Sequence, residues 1–186
     1  NIKYMAIIIQ SKTITEAVTA LGNMLRPMYK SDSEFWPLDE EIDFLENYIK
    51  IMNYRFGNGI RVNYHIPEEL GRTGILKFVL QPIIENAITH GFDQSGGMGT
   101  ITIDVCQKDG GNAAPGLRVT VADDGQGMDM AMLTELREQL ADCESYGLLR
   151  KGHIGIVNVH RRLQIYFGSE YGITVESACV KGTTVT

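Results

Sequence analysis

The chain has 186 residues, 44% of them hydrophobic and 22% charged, enough apolar material for one sizeable core with a small appendage. Its 17 Lys and Arg against 23 Asp and Glu leave a net charge of −6, which argues against direct nucleic-acid binding, because phosphates need a basic surface. Cys106, Cys143 and Cys179 are odd in number and far apart, so neither a disulfide framework nor a cysteine zinc site is expected and a reducing compartment fits best; no apolar run approaches the roughly 18–20 residues that span a membrane.

In residues 2–29, Ile2, Met5, Ile9, Val18, Leu21, Met24, Leu25 and Met28 recur mostly at spacings of three, four or seven, which predicts a helix. Pro27 should weaken its end. Residues 31–37, SDSEFWP, read as a connector. A second helix is predicted from Leu38, where Asp39, Glu40 and Glu41 suit the positive end of the helix dipole. Ile42, Leu45, Ile49 and Met52 carry its stripe, and Gly57 and Gly59 end it. Strands and helices then alternate. Ile60–Ile66 reads as a strand, Ile75–Phe92 as a helix that carries Pro82, and Thr100–Gln107 and Leu117–Ala122 as strands. Asp129–Leu140 and Ile154–Phe167 read as helices, and Ile173–Ala178 and Thr183–Thr186 as closing strands about a turn at Val180–Gly182. The order predicts an α+β layer, with helices on one face of a mainly antiparallel or mixed sheet, preceded by a helical hairpin. The chain opens at Asn1 without Met and closes in a β-like run, so sequence beyond both ends is expected.

Four stretches could carry chemistry. In Val119–Met128, VTVADDGQGM, a β run ends in acids and two spaced glycines. Asp123 could accept a hydrogen bond from an exocyclic amine, and Gly125 and Gly127 would let backbone approach a ligand; a plain turn after a strand is the other reading. In Leu80–Gly91, LQPIIENAITHG, Asn86 and His90 stand at i and i+4 on one helix face. An asparagine beside a carboxylate offers oxygens suited to Mg²⁺, although an amphipathic helix with a solvated face reads the same way. Lys151–Arg162, KGHIGIVNVHRR, places Gly152 and Gly155 ahead of an apolar helix, whose first amides could bind phosphate oxygens. It is neither a Walker loop nor a dinucleotide fingerprint. Last, Gly182–Thr186, GTTVT, could line a pocket floor or simply form a turn into an edge strand.

Taken in order, these stretches resemble the GHKL ATPase superfamily, which includes histidine kinases, DNA gyrase, the large heat-shock chaperone and mismatch-repair ATPases. LQPIIENAITHG looks like its N box, ADDGQGM and GHIGIVNVHRRL like its two glycine boxes, and GTT like its final glycine–threonine element. PLDEEIDFLENYIKIMNYRFG, ENAITHG and IGIVNVHRRLQIYFG narrow the likeness to sensor histidine kinases of the YesM/LytS type.

The resemblance implies a Bergerat-type sandwich. It divides the chain into residues 1–57, part of a helical dimerisation and linker region, and 58–186, an ATP-binding catalytic domain. By likeness, Asp123 binds the adenine amine, Gly125 and Gly127 give the nucleotide room, Met128 beside them is a further ATP-binding residue, and Asn86 holds Mg²⁺. His90 lies near the phosphates or ribose, Gly152, His153, Ile154 and Gly155 meet the phosphates through their amides, and Thr183 supports the pocket. Glu85 is the candidate catalytic residue, and Met130–Lys151 would include a mobile lid. His153 stands where many relatives carry glycine, Thr89 where many have lysine, and Pro82 where gyrase-like members carry a hydrolytic glutamate; the last favours phosphoryl transfer to a side chain over hydrolysis. The implied activity is transfer of the ATP γ-phosphoryl group to a histidine upstream of this stretch, since no PHFxxN-type motif occurs here and His65, His90, His153 and His160 fall in or beside the ATPase segment. The implied partners are ATP, a second kinase protomer and a response regulator, and the place is the cytoplasmic side of a bacterial membrane sensor. The rival reading is a non-catalytic or anti-sigma-like GHKL partner-binding module.

Overall fold

The computed structural model describes residues 11–27, 32–92, 95–108, 116–141 and 154–186. Residues 2–10, 28 and 29 of the predicted first helix, Gly152 and His153, and the latter part of the Met130–Lys151 stretch lie outside them.

Helix α1 (Lys12–Leu25) starts at Ser11, whose hydroxyl accepts the Ile14 amide at 3.4 Å, and it ends before Pro27. It lies against α2 (Leu38–Arg55), to which it is tied by the Asn23 carboxamide donating to Asn47 Oδ1 (3.3 Å) and the Tyr54 hydroxyl donating to Glu16 (2.7 Å). Asp39, Glu40 and Glu41 do occupy the first turn of α2. The amides of Leu38 and Asp39, which have no partner within the helix, donate to the carbonyls of Thr73 and Gly71. At the other end the Asn53 carboxamide donates to the Ile60 carbonyl and accepts the Ile60 amide, locking the helix to the next strand.

Two expectations need correction. The connector contains a strand, β1 (Phe35–Pro37), and residues expected to open the helix at Ile75 instead form β3 (Gly74–Leu76), paired antiparallel with it. The helix begins only at Gln81, as α3 (Gln81–Asn86), with Pro82 in the first turn, where its missing N–H costs nothing. Phe78, at φ +59°, breaks any earlier helix. After Asn86 the helix widens into a π-helical turn, Ala87–Gly91, and the Phe92 amide reaches back to the Ala87 carbonyl at 3.0 Å. Such widened turns gather at functional sites.

The main sheet has five strands in the order β2 (Ile60–His65), β4 (Gly99–Lys108), β5 (Gly116–Asp123), β7 (Thr183–Val185), β6 (Val175–Ser177). The pair β2–β4 is parallel and the others are antiparallel, so the sheet is mixed as expected. Strand β4 alternates cleanly: Ile101, Ile103 and Val105 are buried, whereas Asp104 and Cys106 face solvent. The buried face is covered by α2, α3, α4 (Met130–Ala141) and α5 (Ile154–Phe167). One continuous core runs from Leu38, Leu45 and Ile49 of α2 through Ile84 and Ile88 to Leu136, Ile156 and Val157. Helix α2 is therefore built into the core of the sheet domain. No helix among the described residues is long and apolar enough to cross a membrane.

Candidate functional site

A cavity of about 250 Å³ opens between the helices and the end of β5. Alternation along β5 puts Val121 and Asp123 on its helix side, and Asp124 on the other. The two neighbouring carboxylates are thus separated in role. Asp124 turns to β4 and accepts the Thr100 amide at 2.7 Å. Asp123 lines the cavity and accepts the amide of Gly125 at 2.9 Å. Its pKa is raised, first by burial and also by the nearby Asp124 charge, while the Gly125 and Thr183 amides pull it down. The result is a part-buried acceptor with two amides already fixed upon it.

Strand pairing extends the site across β7 and β6. Asp123 lies opposite Thr183 of β7, and Thr183 opposite Ser177 of β6. The hydroxyls of Ser177 and Thr183 lie 2.9 Å apart, and Ser177 Oγ accepts the Met128 amide at 2.8 Å. Thr183, Met128 and Gly127 all line the cavity.

From the helix side, Ile83, Asn86, Ala87, His90 and Gly91 form the opposite wall. Asn86 and His90, one turn apart, share that face as their spacing predicts. Asn86 donates its Nδ2 to the Pro82 carbonyl at 2.7 Å, which leaves its carbonyl oxygen as the atom offered to a ligand. Glu85 is not among the cavity-lining residues. Its carboxylate accepts the Gln81 amide group at 2.8 Å, and its charge, with burial as the larger cause, helps push the Tyr48 hydroxyl of α2 up to about 12.

The glycines act on protein backbone. A Cβ at Gly125 would stand 2.5 Å from the Gly91 carbonyl oxygen, so the loop after β5 packs directly on the end of the π turn. The Gln126 amide completes that contact by donating to the same oxygen at 2.8 Å. Gly127 takes φ +65°, and a Cβ there would collide with the Ala178 carbonyl of the β6–β7 turn. The room expected for a ligand at these positions is therefore occupied by the protein's own chain, although Gly127 also borders the cavity.

Helix α5 starts alongside. A Cβ at Gly155 would lie 3.0 Å from Pro82 Cβ and 4.0 Å from Asn86 Nδ2, and Ile156 lines the cavity; Ile154 is exposed at the helix start. The sequence reading missed the wall given by α4: Met132, Glu135 and Gln139 all face the cavity. Their spacing of three and four carries that signal, once α4 is known to lie beside β5.

Among the described residues no group of three or more His, Cys, Asp or Glu could hold a metal unaided. A cation held at Asn86 would therefore have to take most of its oxygens from its ligand and from water, as Mg²⁺ does at phosphates. The single carbonyl oxygen of Asn86 fits that chemistry.

Comparison with known proteins gives the family of the chain. Residues 71–186 match the family model for histidine kinase-, DNA gyrase B- and HSP90-like ATPases, and residues 1–60 match one for histidine kinases. The sensor protein kinase HptS of Staphylococcus aureus strain USA300 is 30% identical over 185 residues, which cover 100% of this chain and 33% of that protein. The same holds for strain NCTC 8325. The chain thus spans about a third of the length of the curated relatives it matches. The histidine kinase domain from the Erythrobacter litoralis EL346 blue-light activated histidine kinase superposes with a TM-score of 0.50 at 20% identity, over 95% of this chain and 78% of that one, a likeness of fold. The chain belongs to the histidine kinase-, DNA gyrase B- and HSP90-like ATPase family.

Proposed function

We propose that the chain is the ATP-binding catalytic part of a two-component sensor histidine kinase, of the YesM/LytS type, and that it transfers the γ-phosphoryl group of Mg-ATP to a histidine upstream of Asn1. The observation that carries this reading is the meeting of Asp123, Asn86, Gly127 and Thr183, which span almost a hundred residues of chain, around one cavity. The part-buried carboxylate of Asp123 receives the adenine amine, and Met128 and Met132 flank the base. The carbonyl oxygen of Asn86 would hold Mg²⁺, which when bound would offset phosphate charge. His90 lies on the phosphate or ribose side, and the first amides of α5, at Ile154 and Gly155, face the phosphates. In the transfer a nitrogen–phosphorus bond forms, the bond from phosphorus to the bridging oxygen breaks, and ADP leaves. Catalysis rests on positioning and charge stabilisation. Glu85, turned toward α2, serves that helix contact in our reading, and Pro82 in place of an acid fits transfer rather than hydrolysis.

Neither His160 nor His65 is the acceptor in our reading. His160 is buried in the core with Nδ1 accepting the Ile173 amide, and His65 sits on the open sheet face, 2.7 Å from Asp104. We place the chain on the cytoplasmic side of a membrane sensor, with a second protomer and a response regulator as partners. An exposed stripe on α1, Ile14, Leu21 and Leu25, supports the second protomer, because with Val18 it has the four–three–four spacing of a two-helix seam. Calorimetric titration of the chain with Mg-ATP tests the reading. Saturable binding that Asp123→Asn and Asn86→Ala each weaken is the expected result, and no binding refutes it.

A further inference from the structure

Glu41 lies in the first turn of α2 and is 0% exposed. Three N–H groups converge on its carboxylate. Oε2 accepts the Trp36 indole at 2.6 Å and the Phe78 amide at 2.9 Å, and Oε1 accepts the Leu80 amide at 2.9 Å. All are donors, so the site suits a carboxylate with two accepting oxygens. The segment held in this way, residues 77–80, is the entry to α3. It is gripped from the other side as well, since Arg162 of α5 donates to the Lys77 carbonyl at 3.0 Å. Phe78 adopts φ +59°, a strained conformation for an aromatic residue, and its ring is wedged between Trp36 and Phe44 at 4.9 and 5.1 Å.

The contacts run on without a gap to the cavity. The Leu80 carbonyl accepts the Ile83 and Ile84 amides, which sets the first turn of α3. That turn carries Pro82, whose carbonyl holds the Asn86 side chain at 2.7 Å. The orientation of the Asn86 oxygen therefore depends on a turn that Glu41 fixes from α2. Helix α2 is in turn tied to α1 through Asn47 and Tyr54.

We propose that Glu41 is a positioning residue for the metal side of the nucleotide site. It sets the first turn of α3 and, through the Pro82 carbonyl, the carboxamide of Asn86, so that the helical hairpin and the Mg²⁺ ligand share one rigid connection. This inference rests on the nucleotide reading above. It separates two halves of the site: the base side on β5 and β7 does not pass through Glu41, whereas the Asn86 side does.

The test compares ATP affinity with Mg²⁺ and with EDTA, by calorimetry, for the wild-type chain, Asn86→Ala and Glu41→Gln. The amide in Glu41→Gln matches the carboxylate in shape but puts an NH2 against one of the three donors. The expected result is that Glu41→Gln reduces the Mg²⁺-dependent gain in affinity toward that of Asn86→Ala, by about tenfold, while affinity in EDTA stays within about twofold. General loss of structure lowers both together. A second measurement needs no variant: hydrogen exchange at the Phe78 and Leu80 amides in the wild type should slow more with Mg-ATP than with ATP in EDTA. A folded Glu41→Gln with the wild-type Mg²⁺ gain, or equal exchange at those amides in the two conditions, overturns the inference alone. A wild-type chain that binds no Mg-ATP overturns the functional reading and this inference with it.

Discussion

The substitution Asp123→Asn isolates base recognition from folding. In the native chain the carboxylate offers two oxygens, and the amides of Gly125 and Thr183 already take part of that capacity. Asparagine supplies one oxygen and replaces the other by an NH2 group. That group must face either a protein amide or the amine of a bound adenine, donor against donor. The cost is that of a lost and unsatisfied part-buried polar contact, about 1–3 kcal/mol, or roughly five- to 150-fold in affinity. The variant should also narrow the preference for ATP over GTP, because the guanine carbonyl accepts from an NH2. Folding should survive, since burial already disfavours the charge that the substitution removes. Calorimetry with ATP and GTP, beside thermal melting of the free protein, reads both effects. Unchanged ATP affinity and unchanged discrimination in a folded variant would refute the placement of the base at Asp123.

The raised pKa of Asp123 gives a second prediction. Its folded value lies above 3.8, so between the two values the folded state binds more protons than the unfolded one. The associated destabilisation is complete above the folded pKa and disappears as pH falls through it. Nucleotide binding runs the opposite way, because the adenine amine needs the ionised form: ATP affinity should fall on acidification, by up to about tenfold per pH unit below that pKa, and Asp123→Asn should flatten the profile. Gly125→Ala pushes a Cβ against the Gly91 carbonyl and should cost about 1–3 kcal/mol, seen as a melting temperature lower by several degrees. Leu21→Glu, on the exposed stripe of α1, should weaken self-association in sedimentation while leaving ATP affinity within about twofold.

Much of this was legible because it rests on local pattern. Alternation in Ile101, Ile103 and Val105 declares a half-buried strand, and the acid at the end of VTVAD declares where its inner face stops. The i, i+4 spacing of Asn86 and His90 gives their shared face. What was hidden depends on partners distant in sequence. Strands β1 and β3 have three residues each, too few for a period, and exist because they pair with each other. Ile75 carries a helical pattern, but Glu41 captures the amides just beyond it and delays the helix to Gln81. Glu41 itself looked like one of three acids favoured by a helix dipole, and no local signal separates it from exposed Asp39. The approach of residues 77–80, nearly forty positions away, together with Trp36, encloses it. Glu85 is the reverse case: its neighbour Asn86 points into the cavity, and one step along a helix turns a side chain by about 100°.

The most direct test is a crystal structure of this chain with Mg²⁺ and a non-hydrolysable ATP analogue. The base should lie against Asp123 and Thr183, with the metal in contact with the Asn86 oxygen. A nucleotide bound elsewhere, or seated in the cavity with neither Asp123 nor Asn86 in contact, would contradict the proposed nucleotide site.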